Sequence, residues 1–237
     1  MVTRAVRPTR MATRTMYDDT WLVVPLYNEG EVIRQVVTDA RRTFPRIVCV
    51  DDCSVDSSGV DAAAAGAVVV THPINLGQGA ALQTGIEYAL RQPETRYLVT
   101  FDADGQHRVE DAAAMVDLLR ADAADVVFGS RFLDGRTEPG LLKKLVLKAA
   151  ITFSNATTGV RLTDTHNGLR AFTRAAAAAL SIKQNRMAHA SEIIEQVGKR
   201  GLRYVEHPVH ILYTDYSRKK GQSLLNSVNI LTELLYK

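Results

Sequence analysis

Short apolar runs alternate with amphipathic stretches over the first 130 residues. Trp21-Leu22-Val23-Val24-Pro25 is an apolar run closed by Pro, which predicts a buried strand. Asn28-Glu29-Gly30 predicts a turn. Glu31 to Thr43 then sets Val32, Ile33, Val36, Val37 and Ala40 on one helical face. Ile47 to Val50 predicts a second strand, ending on Asp51-Asp52. After a Ser/Asp-rich turn, the Ala-rich stretch Val60 to Ala65 predicts a helix and Val68 to Val70 a third strand. Gly77-Gln78-Gly79 opens a helix running through Arg91. Tyr97 to Phe101 predicts a fourth strand, Asp111 to Arg120 a helix and Asp125 to Phe128 a fifth strand. Strands alternating with helices of this length predict a doubly wound, mainly parallel α/β sheet flanked by helices. The strands lack period-2 alternation, as expected when helices cover both faces.

The rhythm changes after Gly129. Leu141 to Thr157 predicts a long helix that mixes Leu142, Leu145, Val146, Ala149 and Phe153 with Lys143, Lys144 and Lys148. Arg174 to Leu180 and Ala190 to Lys199 predict helices. Tyr204 to Leu212 predicts a strand with His207-Pro208 inside it, which favours an edge position because Pro cannot donate to a ladder. Thr214 to Ser223 is a polar, basic loop, and Leu224 to Tyr236 a last amphipathic helix. There is no internal repeat and no low-complexity linker. Residues 1–19 are expected to form a disordered basic arm, and residues 20–237 one domain, divided into 20–130 and 131–237.

Composition narrows the class. At 237 residues and 46% apolar the chain can bury a core without staples. Its two cysteines, Cys49 and Cys53, form no disulfide framework, and without a second Cys/His pair they make no zinc site. A reduced cytosolic setting is expected. A net charge of +3 is too mild to call for nucleic acid. The longest apolar stretches fall well short of the roughly 20 residues a membrane-spanning helix needs. The arm carries Arg4, Arg7, Arg10 and Arg14 but no apolar core, so it is not a secretory signal.

Candidate chemistry gathers at the strand ends. In open α/β sheets ligands bind beyond the carboxyl ends of the strands. Three of those ends carry acids here: Glu29, then Asp51-Asp52, then Asp102-Ala103-Asp104. Unpaired buried carboxylates are costly, so several at one edge call for a cation or a ligand. Asp102 and Asp104, two residues apart on an extended turn, suit a hard divalent cation such as Mg²⁺ or Mn²⁺, with Gln106 adding a neutral oxygen.

Six ordered motifs resemble the inverting family 2 glycosyltransferases. They are Val-Val-Pro-Leu-Tyr-Asn-Glu (23–29), Val-Asp-Asp-Cys-Ser-Val-Asp (50–56), Asn-Leu-Gly-Gln-Gly-Ala-Ala-Leu (75–82), Phe-Asp-Ala-Asp-Gly-Gln-His (101–107), Gly-Ser-Arg (129–131) and Asn-Gly-Leu-Arg-Ala-Phe (167–172). The fourth and fifth look most like the dolichyl-phosphate mannose synthase-like branch. The resemblance implies a GT-A fold, a nucleotide-sugar-binding half over 20–130 and acceptor-side helices toward the C-terminus. It implies that Pro25, Tyr27 and Glu29 hold the nucleoside and that Asp51 and Asp52 read the base and ribose of a UDP- or GDP-linked sugar. Gly77 and Gly79 would let the backbone pass the nucleotide. Asp102, Asp104 and Gln106 would hold the metal and diphosphate. Gln78 stands where the motif often has Lys.

Transfer from such a donor expels a diphosphate, and cations stabilise the charge that develops on it. Arg131, Arg170 and the loop Arg218-Lys219-Lys220 are the candidates, with the loop closing over the diphosphate. A hydroxyl acceptor would need a general base, for which Asp164, His189 and Glu192 are candidates. A polyprenyl phosphate needs none, since it already carries negative charge. His166-Asn167 departs from the phosphate-acceptor branch, whereas Lys148 and Thr152 fall near where that branch contacts the acceptor phosphate. The helices at 141–157 and 224–236 carry basic flanks, as interfacial helices do. The expected setting is therefore the cytoplasmic membrane face, as a peripheral protein that could rely on a separate membrane partner or be a truncated chain; homodimerisation stays open. Polyprenyl phosphate is the leading acceptor and a hydroxyl on a lipid-linked or surface glycan the alternative. A nucleotidyltransferase would start with a Gly-rich loop where Pro25-Leu26-Tyr27-Asn28-Glu29 stands. A non-catalytic subunit would have little reason to keep Asp102 and Asp104.

Overall fold

A computed structural model describes residues 17–133, 159–212 and 216. Seven strands form one mixed sheet: β1 (Thr20–Leu26), β2 (Arg46–Asp51), β3 (Val68–Thr71), β4 (Tyr97–Thr100), β5 (Val126–Ser130), β6 (Arg170–Thr173) and β7 (Tyr204–Pro208), in the order β3-β2-β1-β4-β6-β5-β7. Helices α1 (Ile33–Ala40), α2 (Ser58–Ala64), α3 (Gln78–Leu90), α4 (Val109–Arg120), α5 (Arg174–Ala179) and α6 (His189–Lys199) connect and cover the strands. All seven residues of β1 are buried, because an apolar core lies on each face of the sheet. Leu22, Val24 and Val99 belong to one core, with Ile33 and Met115 of α1 and α4. Trp21, Val23 and Leu98 belong to the other, with Ile86 and Ile193 of α3 and α6. Each fully buried aliphatic of this kind stabilises the fold by about 1.5–3 kcal/mol.

The expected five-strand α/β core is present, and β7 is an edge strand as the His207-Pro208 pair predicted. Three differences have local causes. β6 was not predicted as a strand. It runs antiparallel between β4 and β5, and its first residue is a buried arginine rather than an apolar side chain. The last strand stops at Pro208 instead of reaching Leu212: the chain turns away so that His210 N–H donates to Asp111 Oδ2 and Leu212 N–H to the Gln106 carbonyl. Order also begins before Trp21. Tyr17, placed in the arm, is buried with its ring 4.9 Å from Phe44 and its hydroxyl on the Asp117 carboxylate.

β1, β2 and β3 add in one direction while β4 lies on the other side of β1, joined to it in parallel. The order therefore reverses at β1, where such sheets open a crevice at the strand carboxyl ends. The expected helices at 141–157 and 224–236, with Lys148 and Thr152, and the cations Arg218, Lys219 and Lys220 lie outside the described residues, as does the arm before Tyr17. No helix among the described residues is long and apolar enough to cross a membrane.

Candidate active site

A cavity of about 800 Å³ occupies that crevice. Pro25, Leu26, Tyr27 and Glu29 line it from the end of β1, Asp52 from the end of β2, and Asp102, Ala103 and Asp104 from the end of β4. Asn75, Gly77, Gln78 and Ala81 line it from the start of α3, and Arg186 and Met187 from the segment before α6. Seven residues anticipated from sequence thus meet around one space: Pro25, Tyr27, Glu29, Asp52, Gly77, Asp102 and Asp104.

The turn after β1 is fixed from below. Glu29 N–H donates to Ser58 Oγ at 2.7 Å, and the Glu29 carbonyl accepts from Val32 and Ile33 to start α1. The Tyr216 hydroxyl donates to Glu29 Oε2 at 2.6 Å. Burial and the neighbouring Glu29 carboxylate push that phenol well above its ordinary value, so Tyr216 stays a donor.

Asp51 and Asp52 do different things. Asp51 is buried and accepts Ser54 N–H within its own turn. Asp52 accepts from Leu76 N–H at 2.8 Å, Gly77 N–H at 2.7 Å and His72 Nδ1 at 2.8 Å. The other His72 nitrogen meets Thr84 Oγ1 at 3.0 Å. Asp52 therefore holds the loop entering α3 in place as well as facing the cavity. Gly77 sits at φ 99°, a left-handed conformation that Gly adopts without strain. Gly79 lies under the 183–187 segment, donating its N–H to the Asn185 carbonyl at 2.8 Å.

The two aspartates after β4 are set apart electrostatically. Burial raises the Asp102 carboxyl, but a hydrogen bond from His107 Nε2 at 2.9 Å and the charges of His107 and Arg170 outweigh it, so Asp102 sits below its ordinary value. Gln78 Nε2 also donates to it, at 3.2 Å. Asp104 is pushed up, by burial first and then by the negative charge of Asp102, with Glu29 adding to it; only Gln106 N–H, at 3.0 Å, and the charge of His107 oppose. A carboxylate held near like charges is one a cation would relieve. The described residues contain no group of three His, Cys, Asp or Glu side chains able to enclose a metal. Two carboxylates beside a roomy cavity nonetheless fit Mg²⁺ or Mn²⁺, which take one or two protein carboxylates and fill the rest with phosphate oxygens and water. Gln106 does not line the cavity; its main chain bonds Asp104 and Leu212.

The remaining anticipated residues that the structure describes do not line the cavity. Arg131 forks onto Asp164, with Nε to Oδ2 at 2.7 Å and Nη2 to Oδ1 at 2.9 Å. Burial raises the Asp164 carboxyl, but the Arg131 fork overcomes this and holds it low. Glu192 Oε2 accepts Lys183 N–H at 2.9 Å and Gln184 N–H at 2.8 Å. Arg170 is 2% exposed; burial lowers its guanidinium to about 10, with Asp102 and Asp164 opposing, so it remains charged at neutral pH. His189 Nδ1 donates to the Arg186 carbonyl at 2.7 Å, and burial together with the charge of Arg170 lowers its imidazole to about 4. His166 is also lowered, chiefly by burial, and Asn167 Oδ1 caps Leu169 N–H.

The sequence profile described as Glycosyl transferase family 2 matches residues 21–180, more than half of the chain. The chain belongs to glycosyl transferase family 2. It is 29% identical over 247 residues to a UDP-N-acetylglucosamine–dolichyl-phosphate N-acetylglucosaminyltransferase of Methanococcus voltae, covering 95% of this chain and 96% of that one. It is 35% identical over 179 residues to a polyprenol monophosphomannose synthase of Mycolicibacterium smegmatis, covering 71% of this chain and 64% of that one. These relatives support the dolichyl-phosphate mannose synthase-like branch of the family. Among solved structures, glucosyl-3-phosphoglycerate synthase of Mycobacterium tuberculosis in complex with Mn²⁺ and UDP-glucose aligns with a TM-score of 0.70 at 18% identity, covering 92% of this chain and 78% of that one. That likeness shows the GT-A fold. As a family 2 member, the protein is a glycosyltransferase.

Among the charged lining residues, sequence reading passed over Arg186. It belongs to none of the six motifs, and a basic residue in a polar stretch carries no periodic signal.

Proposed function

We propose that this glycosyltransferase moves a sugar, with inversion, from a UDP- or GDP-linked donor to a polyprenyl phosphate at the cytoplasmic face of a membrane. One observation carries the choice of acceptor: each candidate general base is committed elsewhere. Asp164 is held low by the Arg131 fork. Glu192 is spent on two backbone N–H groups. His189, lowered to about 4, is a weak base at neutral pH. A phosphate acceptor needs no such base, because its oxygen is already anionic.

In this reading Pro25 and Tyr27 wall the nucleoside end and Asp52 reads the base or ribose while holding the loop of Gly77. Asp102 and Asp104 would hold Mg²⁺ or Mn²⁺, which supplies positive charge for the departing diphosphate. His107 and Gln78 orient Asp102. The acceptor phosphate oxygen attacks the anomeric carbon, the bond from that carbon to the diphosphate breaks, and its electron pair leaves with the nucleoside diphosphate. The relatives named above are polyprenyl- or dolichyl-phosphate glycosyltransferases, which supports the same acceptor class.

The test is transfer of radiolabelled sugar to polyprenyl phosphate by the wild type and by Glu192→Gln. The variant should retain kcat within about fivefold, since Gln keeps one oxygen for the 183–184 turn. A drop of a hundredfold or more with donor binding intact matches a lost general base and would move the reading to a hydroxyl acceptor.

A further inference from the structure

We propose that Arg186 is a phosphate-binding residue of the donor–acceptor cavity. The inference rests on the glycosyl-transfer reading above and adds a residue that none of the motifs includes. Glu29, Asp52, Asp102 and Asp104 put four carboxylates on the cavity wall, while Arg186 is the one cation among the described lining residues. A diphosphate or a phosphate monoester brought to this wall needs positive charge near it. The cations anticipated from sequence among the described residues do not line it: Arg131 is forked onto Asp164, and Arg170 is buried.

The backbone carrying Arg186 is held at three points. Glu192 Oε2 takes the N–H groups of Lys183 and Gln184. Gly79 N–H donates to the Asn185 carbonyl, and His189 Nδ1 donates to the carbonyl of Arg186 itself at 2.7 Å. Arg186 is exposed and makes no side-chain hydrogen bond or ion pair with the described residues. A fixed backbone presenting an uncommitted guanidinium to an acidic cavity is the arrangement expected of an anion receptor, since little conformational freedom of the main chain is lost on binding. It also makes separate sense of Glu192 and His189: both act through Arg186, as positioning residues for its loop.

The ligand chemistry is a phosphate group, from either the donor diphosphate or the acceptor phosphate. Arg186→Met, Arg186→Lys and, as a matched loss of charge outside the cavity, Arg200→Met are compared with the wild type in two arms. The first is calorimetric affinity for UDP and for GDP with Mn²⁺. The second is KM for polyprenyl phosphate at saturating donor. Hydrogen bonds to charged groups are worth about tenfold to a hundredfold in affinity, so Arg186→Met should lose at least tenfold in one arm. Arg186→Lys should recover part of it, and Arg200→Met should stay within twofold. Loss in the first arm assigns Arg186 to the donor diphosphate; loss in the second alone assigns it to the acceptor phosphate. Both arms within twofold of wild type for Arg186→Met, or equal losses for Arg186→Met and Arg200→Met, overturn the proposal. A wild type that binds neither nucleotide with Mn²⁺ fails the donor site itself, and this inference with it.

Discussion

Gly79→Ala separates two opposed effects at one position. Gly79 is the second residue of α3. On helix propensity alone, Ala in place of Gly adds up to about 1 kcal/mol of stability. Gly79 has no left-handed strain to relieve or to protect, so conformation does not decide the sign. Contact does. A Cβ there would stand 2.0 Å from the Gln184 carbonyl oxygen and 3.0 Å from His189 Cβ. The oxygen is main chain and cannot rotate away, so the 183–187 segment would have to retreat by roughly 1 Å or more to restore van der Waals contact. That retreat lengthens the Gly79 N–H to Asn185 carbonyl bond, now 2.8 Å. Overpacking of this kind costs about 1–3 kcal/mol, which outweighs the propensity gain. The expected net loss is about 1–2 kcal/mol, or a few degrees in Tm for a chain of this size. Urea unfolding followed by circular dichroism measures it, and nucleotide affinity with Mn²⁺ should fall alongside, because the same shift displaces Arg186. A variant as stable as the wild type or more so would refute the packing argument.

Other outcomes follow from the same geometry. Asp104→Ala should abolish Mn²⁺-dependent binding of a nucleoside diphosphate while leaving the metal-free Tm unchanged or higher. The carboxyl it removes is pushed up by burial and by Asp102 and so costs stability when ionised; unchanged Mn²⁺-dependent affinity by calorimetry would count against the metal reading. His189 gives a pH signature: its imidazole is lowered to about 4 in the folded protein, so between pH 6.5 and 4 the unfolded chain binds a proton that the folded one does not. Stability should fall over that window as pH drops, by about 2–3 kcal/mol. His189→Asn, which keeps a donor for the Arg186 carbonyl, should flatten that slope, and an unaltered slope in urea titrations at pH 6.5 and 4.5 would remove His189 as its source.

How much was legible in the sequence depended on whether a feature is local. The first five strands are runs of apolar residues between turns, and their acidic ends could be read one at a time. That Glu29, Asp52, Asp102 and Asp104 face one cavity follows from β4 lying beside β1, which no short window contains, although the rule for open sheets pointed to the correct edge. β6 was missed because a strand beginning with a buried Arg170 breaks the apolar pattern that marks its neighbours. Occupancy was the least visible property. Arg131 and Asp164 are 33 residues apart, and neither announces that it belongs to the other. Glu192 looks in sequence like an ordinary first-turn acid, yet its carboxylate closes a loop 8 and 9 residues upstream.

The charge arrangement also weighs against a fold retained without chemistry. Asp104 is raised by burial first, and then by the negative charges of Asp102 and Glu29. Such repulsion costs stability unless a cation is recruited. A pure scaffold would lose nothing by replacing Asp104 with a neutral residue and would gain stability. The neighbouring groups do not remove it: against burial, the His107 hydrogen bond and the charges of His107 and Arg170 hold Asp102 below its ordinary value, while Gln78 donates to Asp102 and Tyr216 to Glu29. Arg131, the cation at the end of β5, is turned onto Asp164. Among the described residues, Arg186 on the facing wall is the one cation that lines the cavity. In the proposed reading, a donor and a metal that brings positive charge to this wall would make the binding of each depend on the other, a coupling that serves a nucleotide-sugar transferase and that a passive subunit does not need.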